Sequence, residues 1–161
     1  MTIQTGQPLP DLPLAVIDSG EKQNTTTGAL FAGRKVVLFA VPGAFTPTCS
    51  ERHLPGYVAM YDAFRERGIE VYCLSVNDAF VMQAWAQAQF VPPGLKMLAD
   101  GNADFTRALG LELDGSAYGL GLRARRFALY AEDGVVKSLA IEAPGEFRVS
   151  SAEAMLAVIG G

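Results

Sequence analysis

The strongest constraint on the fold is a continuous apolar run at residues 35–41, Lys-Val-Val-Leu-Phe-Ala-Val. Its β-branched and aromatic residues favour a strand. The run does not alternate with polar residues, which indicates that both faces of the strand are buried. Strands of this kind lie in sheets that carry helices on both sides. The run therefore predicts an α/β protein.

The remaining patterns extend this sheet into a complete domain. Further strands are predicted at five apolar runs, residues 14–18, 69–76, 96–99, 127–130 and 135–141, the last two joined as a hairpin by Glu132-Asp133-Gly134. Helices are predicted at residues 47–67 with a kink at Pro55, at 77–90, at 102–109 and after a capping box at Ser150-x-x-Glu153. This order favours a thioredoxin-like fold, with a central mixed sheet flanked by helices on both faces. No repeat or change in composition divides the chain, so residues 1–161 are expected to form a single domain.

Composition and charge exclude several classes of function. The net charge of −4 argues against nucleic-acid binding, which needs a basic surface. No apolar stretch is long enough to span a membrane, and the opening residues lack the features of a signal peptide, so a cytoplasmic location is expected. Two cysteines and one histidine do not make a credible four-ligand metal site, and neither a metal nor another cofactor is expected.

The chemically informative segment joins the strand at 35–41 to the next helix. Thr46 is a suitable N-cap and Pro47 suits the first helical position, which places Cys49 third. A sulfur there lies near unpaired backbone N–H groups and the positive end of the helix dipole, which favour the reactive thiolate. Thr46 stands where a Cys-x-x-Cys motif would need its first cysteine, so the site suits a single nucleophile. The alternative is an ordinary buried cysteine behind a capped helix.

Four ordered segments resemble the peroxiredoxins, and specifically their atypical type II branch, also called type five. The first is VPGAFTPTCSERHLPGY, which contains the family pattern Pro-x-x-x-Thr/Ser-x-x-Cys as Pro42, Thr46 and Cys49. The others are CLSVNDAFV from Cys73, GLGLRARRFAL and GEFRVSSAEAML. The resemblance covers nearly the whole chain. It implies a thiol peroxidase whose Cys49 thiolate attacks a hydroperoxide and becomes a sulfenic acid.

The resemblance also implies roles for the residues around Cys49. Arg126 corresponds to the active-site arginine, which stabilises the thiolate and the leaving oxygen. Thr46 would position the peroxide and the sulfur, and Pro42 would shield the sulfur from water. Without the resemblance, Arg126 would be read as one of three clustered surface arginines.

For several residues the sequence allows two interpretations, one functional and one structural. His53 follows Cys49 by four residues and could act as its base or bind substrate, although packing or local hydrogen bonding is the favoured role. Phe45, Gly119 and Leu120 could line an apolar approach for organic hydroperoxides, or they could belong to the core. A homodimer is implied by the family, with contacts beside the active site from Phe45, Phe80, Val81 and Trp85, although Phe80 and Trp85 could equally share a core face.

The sulfenic acid must then be reduced by a second thiol. The segment in which several relatives carry a resolving cysteine contains none here, so Cys73 is the one internal candidate, and it lies in an apolar strand that suggests packing. An external thiol is favoured: glutathione with glutaredoxin, or thioredoxin. Resolution by Cys73 is the second possibility. The competing function is a redox sensor in which Cys49 is oxidised once without turnover.

Overall fold

The structure is a computed structural model that describes residues 1–160. This part of the chain contains nine strands: β1 (Pro13–Asp18), β2 (Glu21–Thr26), β3 (Lys35–Val41), β4 (Ile69–Ser75), β5 (Lys96–Ala99), β6 (Glu112–Asp114), β7 (Leu122–Ala124), β8 (Phe127–Glu132) and β9 (Val135–Ile141). It also contains six α-helices: α1 (Thr27–Phe31), α2 (Leu54–Ala59), α3 (Tyr61–Glu66), α4 (Ala79–Ala88), α5 (Asp104–Leu109) and α6 (Ala152–Ile159). A π-helical turn spans Cys49–His53 and a 3-10 turn spans Ser116–Tyr118. None of these helices has the length and apolar character needed to cross a membrane.

Seven strands form the central sheet, in the order β2-β1-β5-β4-β3-β8-β9. The three inner strands β5, β4 and β3 run parallel to one another, whereas β8 pairs antiparallel with β3 and β1 pairs antiparallel with β5. The sheet is therefore mixed, as predicted. The short strands β6 and β7 form a separate antiparallel pair.

Two apolar cores lie on opposite faces of the sheet, and β3 contributes to both. Val37, Phe39 and Val41 belong to one core, while the residues between them belong to the other, as the alternation of side chains along a strand requires. The first core also receives side chains from α2, α3, α4 and α6, and the second from α1 and α5. Helices on both faces explain why residues 36–41 can be fully buried. The predicted α/β thioredoxin-like architecture is confirmed.

The long helix predicted at residues 47–67 is instead divided into segments. The π-helical turn Cys49–His53 leads into α2, and the chain breaks at Met60 (φ −102°, ψ 10°) before α3 begins. Pro55 does not mark the break. It lies in the first turn of α2, where proline is tolerated because an N–H is not required for a helical bond.

Two local predictions at element boundaries were also wrong. The N-cap of α6 is Ser151, whose side chain accepts from the Ala154 N–H, whereas the Ser150 hydroxyl donates to Glu142. Strand β2 was not predicted, because its sequence Glu-Lys-Gln-Asn-Thr-Thr is polar and mostly exposed. It is nevertheless held in an antiparallel hairpin with β1, and edge strands need no buried face.

Candidate active site

Cys49 lies where β3 leaves the sheet and turns into a helix. The helix begins at Pro47, so Cys49 is its third residue, as the spacing predicts, and its side chain is fully buried. The Thr46 carbonyl accepts the first helical hydrogen bond, from the Ser50 N–H at 2.9 Å. The Thr46 hydroxyl does not cap the helix; it donates to the Gly43 carbonyl at 2.6 Å. Thr46 thus ties the loop to the helix start beside the sulfur.

The first turn of the helix is widened into a π-helical turn. Its closing hydrogen bond runs from the Leu54 N–H to the Cys49 carbonyl, five residues apart. A π-bulge of this kind is rare and is found frequently at functional sites. The indole N–H of Trp85, in α4, donates to the Ser50 hydroxyl at 3.0 Å and so anchors the residue next to Cys49.

Arg126 reaches Cys49 from the neighbouring antiparallel strand. Phe127 begins β8 and pairs with Ala40 near the end of β3, which places Arg126 beside the start of the loop formed by residues 42–49. One guanidinium nitrogen, Nη2, donates to the Cys49 Sγ at 3.1 Å. The other, Nη1, donates to the His53 Nδ1 at 2.7 Å. The structure therefore brings Arg126 and Cys49 into direct contact and places a fixed positive charge against the sulfur.

His53 is a neutral hydrogen-bond bridge in this arrangement. Arginine can only donate, so Nδ1 accepts from Arg126, and a carbonyl can only accept, so Nε2 carries the proton and donates to the Ser150 carbonyl at 3.0 Å. Burial, followed by the Arg126 charge, lowers the pKa of His53 to about 3. His53 is fully buried, and both ring nitrogens are engaged by Arg126 and Ser150, which supports the favoured role in packing and local hydrogen bonding. Substrate binding by His53 stays a prediction.

Arg123 packs against the outside of the Pro42–Cys49 loop. Its Nε donates to the Leu120 carbonyl at 2.9 Å, and its Nη1 lies 3.5 Å from the Pro42 carbonyl. A Cβ at Gly43 would stand 2.8 Å from that Nη1, so glycine leaves the space that the guanidinium occupies. This contact was not predicted, because clustered arginines in a sequence do not show which one faces inward.

A cavity of about 430 Å³ opens beside Arg126. Its walls combine apolar and charged side chains from the loop of residues 42–49, the β6 region, the residues before β8 and the segment after β9. They are Pro42, Thr48, Leu113, Tyr118, Arg125, Arg126, Glu142, Ala143, Pro144, Gly145 and Glu146. The predicted lining residues Phe45, Gly119 and Leu120 are not among them. Phe45 is instead 55% exposed, and its positive φ of 65° turns the loop outward.

Cys73 occupies a different setting in the same core. It lies in the middle of β4, paired with Phe39 of β3 and Met97 of β5, and it is fully buried. Burial, with a smaller contribution from Cys49, raises the pKa of the Cys73 thiol well above its usual range. Its surroundings therefore keep it protonated, as a packing residue would be. Both cysteines are free thiols.

No cluster of three or more potential metal ligands occurs among residues 1–160. The polar side chains around Cys49 are engaged with one another and with backbone groups. Sequence reasoning missed two members of this network, Ser150 and Glu142. The available signal was Glu142 itself, an acidic residue placed directly after the apolar strand β9.

The Redoxin family model matches residues 4–156 of the chain. Chloroplastic peroxiredoxin-2E of Arabidopsis thaliana is 49% identical over 160 residues, which cover 96% of this chain and 68% of that protein. Peroxiredoxin-2C of Oryza sativa subsp. japonica is 47% identical over 156 residues, 96% of each chain. The structure of reduced Prx3 from Vibrio vulnificus in complex with H2O2 superimposes with a TM-score of 0.92 at 50% identity, covering 99% of this chain and 100% of that one.

Fold, site and sequence similarity agree on the class of protein, a thiol-dependent peroxidase of thioredoxin-like fold. The chain belongs to the Redoxin family, in the plant and bacterial type II branch of the peroxiredoxins.

Proposed function

We propose that the protein reduces hydrogen peroxide and organic hydroperoxides with Cys49 as the attacking thiolate, and that an external thiol restores Cys49 after each turnover. The observation that carries this proposal is the 3.1 Å contact between Arg126 Nη2 and the Cys49 Sγ at the buried start of a helix. A fixed positive charge at that distance favours the thiolate over the thiol. The proposed physiological role is antioxidant defence and redox homeostasis.

The chemical step follows from the nucleophile and the arginine. The Cys49 thiolate attacks the terminal, hydrogen-bearing oxygen of the hydroperoxide, so an S–O bond forms as the O–O bond breaks. Cys49 becomes a sulfenic acid, and the departing hydroxide or alkoxide takes a proton from water to leave as water or an alcohol. Arg126 can donate to that departing oxygen as its negative charge develops. The Thr46 hydroxyl lies at the same helix start, positioned to orient the peroxide.

The cavity beside Arg126 supports organic hydroperoxides as substrates. At about 430 Å³ it has room for an alkyl chain as well as the peroxide group. Leu113, Tyr118 and Pro144 supply apolar surface, while Arg126 supplies the polar group that orients the reacting oxygens. The Vibrio vulnificus relative whose structure contains H2O2 supports the smaller substrate.

An external thiol is the proposed reductant because Cys73 is poorly placed to act as one. It is fully buried in β4, and burial raises the pKa of its thiol, so little of the nucleophilic thiolate is present. Glutathione with glutaredoxin is the favoured donor, thioredoxin is the other candidate, and resolution by Cys73 is the alternative route.

Steady-state peroxide consumption with each donor system tests this assignment, using the wild type and Cys73→Ser. Turnover retained in Cys73→Ser with one donor supports an external thiol and identifies it. Loss of turnover in that variant, with the fold intact by circular dichroism, would assign the resolving step to Cys73. A wild type that reacts once and stops with every donor would favour a peroxide sensor oxidised stoichiometrically.

A homodimer that contacts itself beside the active site is also proposed. Phe80 is 79% exposed and Phe45 is 55% exposed, so both can contribute to an apolar interface. Trp85 was expected to contribute but is fully buried against Ser50, and it can act there only as a support. Sedimentation velocity would measure the assembly.

The cytoplasmic location stays a prediction, which cell fractionation would test.

A further inference from the structure

Glu142 is a buried carboxylate that gathers one loop around itself. It follows β9 directly and is 4% exposed. Its Oε2 accepts from the backbone N–H groups of Arg148, Val149 and Ser150 at 2.8, 2.9 and 2.8 Å, and from the Ser150 hydroxyl at 2.7 Å. The Glu142 N–H in turn donates to the Arg126 carbonyl at 3.0 Å. The carboxylate thus fixes three successive peptide groups within reach of the active site.

The carbonyl of Ser150 is the part of this loop that faces the active site. It accepts from His53 Nε2 at 3.0 Å and from the Tyr57 hydroxyl at 2.7 Å, and both side chains are fully buried. Because that carbonyl can only accept, it holds the proton of His53 on Nε2 and leaves Nδ1 free to accept from Arg126. A displaced carbonyl would release the ring to other orientations and to the other tautomer.

The Glu142 carboxylate is ionised near neutral pH, because its pKa is lowered. Burial alone would raise the pKa of Glu142, but the hydrogen bonds from Ser150, Arg148 and Val149 outweigh it and hold that pKa below its usual range. An ionised acceptor makes stronger hydrogen bonds than a neutral one, so the loop is held most firmly near neutral pH.

We propose that Glu142 is a positioning residue for the peroxidase reaction, acting through the Ser150 carbonyl and the tautomer of His53 to hold Arg126 against Cys49. The inference rests on the proposed function, since it concerns the same reacting sulfur. The Glu142 carboxylate makes no hydrogen bond to Cys49 or to the guanidinium. Because Glu142 also lines the cavity beside Arg126, the double substitution with His53 is the experiment that shows whether it acts through this chain.

Asp100 provides a matched control for Glu142→Gln. It is also 4% exposed, and its carboxylate accepts from the N–H groups of Phe105 and Thr106 and from the Thr106 hydroxyl, with no hydrogen bond to Cys49, His53 or Arg126. Asp100→Asn removes a comparable buried charge without touching the chain that leads to Cys49. Both variants are made in a Cys73→Ser background so that one thiol remains.

Two readouts separate positioning from simple stability. The first is the pH profile of Cys49 alkylation by iodoacetamide, which needs no peroxidase activity. The second is the single-turnover rate of oxidation by H2O2, followed by the fluorescence of Trp85, the single tryptophan, which bonds the neighbour of Cys49. If the alkylation of Cys49 in the wild type depends on pH but the protein consumes no peroxide, the proposed function is refuted. The alkylation profile can then still test whether Glu142 positions Arg126.

We expect Glu142→Gln to shift the alkylation profile to higher pH and to slow oxidation about tenfold, the lower end of the effect that residues orienting metal ligands have. Asp100→Asn should lower the thermal midpoint and change neither readout. In a His53→Gln background, Glu142→Gln should slow oxidation no further.

Three results would overturn the proposal. If Glu142→Gln matches Asp100→Asn, with lost stability and an unchanged alkylation profile and rate, Glu142 is a structural anchor. If the effects of Glu142→Gln and His53→Gln multiply, Glu142 does not act through His53. Should Glu142→Gln not fold, Ser150→Ala carries the same test, since it removes one of the four hydrogen bonds, and an unchanged profile there would count against the proposal.

Discussion

The two cysteines share a core and differ in everything that decides reactivity. Cys49 and Cys73 are both fully buried and both belong to the apolar cluster on one face of the sheet. Cys49 stands at a helix start with the Arg126 guanidinium 3.1 Å from its sulfur. Cys73 stands in mid-strand, and burial raises the pKa of its thiol. Burial therefore does not predict which cysteine reacts.

What distinguishes the two sites is a compensating charge. Removing a thiolate from water is costly in either place. At Cys49 a guanidinium donor 3.1 Å away and the helix start face the sulfur, whereas at Cys73 the charge of Arg126 lowers the pKa by less than burial raises it. The contrast teaches that a fully buried cysteine can be a nucleophile when the protein supplies the solvation that water cannot.

The largest expected effect comes from exchanging each sulfur for oxygen. Cys49→Ser should reduce peroxide consumption by at least about a thousandfold, because a serine hydroxyl does not take oxygen from a peroxide. Cys73→Ser should keep turnover but lose roughly 1–3 kcal/mol of stability, since a buried hydroxyl without a partner is unfavourable. Donor-coupled assays and urea unfolding measure the two quantities. Substantial turnover in Cys49→Ser would show that Cys49 is not the reacting cysteine.

The sheet and the position of Cys49 could be predicted because local patterns determine them. The apolar run of β3 fixes a doubly buried strand, and Pro47 marks where the next helix begins. The Thr46 hydroxyl, which was expected to cap that helix, bonds to Gly43 instead. The same reasoning missed β2, whose polar residues are held only by pairing with β1. It also predicted one continuous helix where the chain widens at Cys49–His53, because a π-helical turn has no local sequence signature.

The support of the active site could not be predicted, because it depends on contacts between distant segments. Ser150 meets His53 across 97 residues, and Arg126 meets Cys49 across 77. The resemblance to peroxiredoxins identified Arg126, but nothing in the residues showed that His53 faces the arginine instead of the sulfur. The capping-box pattern assigned Ser150 only to a helix start, and the role of residues 148–150 follows only from the buried carboxylate that they surround.

The next effect in size concerns the donor that distinguishes the two sulfurs. Arg126→Ala should slow Cys49 oxidation about a hundredfold to a thousandfold, as the loss of one donor to a developing negative charge does in other enzymes. It should also shift Cys49 alkylation to higher pH. Stopped-flow oxidation and alkylation profiles measure these changes.

Arg125→Ala is the matched control for that experiment. Arg125 is the adjacent arginine and lines the same cavity, but its side chain makes no hydrogen bond to Cys49 or His53 within the described residues. Its removal should change the oxidation rate by no more than about threefold, through the general charge of the cavity. Equal effects of the two substitutions would show that net charge near Cys49, and not the specific contact with Arg126, makes Cys49 more reactive than Cys73.

The acid stability of the fold, instead of the peroxidase rate, tests whether His53 is neutral. The pKa of His53 is lowered from 6.5 to about 3, first by burial and then by Arg126. Between pH 6.5 and 3 the unfolded chain therefore binds a proton that the folded chain does not. The stability from neutral His53 is complete above pH 6.5 and is lost as pH falls, by at most about 1.4 kcal/mol per pH unit.

His53 is the single histidine, so its contribution can be isolated by comparing the wild type with His53→Gln. Urea unfolding at constant ionic strength between pH 7 and 5 should give a steeper loss of stability in the wild type, because glutamine does not titrate. Carboxylates affect both proteins alike and cancel in the difference. Parallel curves would mean that His53 takes up its proton in the folded state near its usual pKa. A protonated His53 ring could not accept a hydrogen bond from Arg126. The contact between Arg126 and the Cys49 sulfur, which Cys73 lacks, would then have to be held in another way.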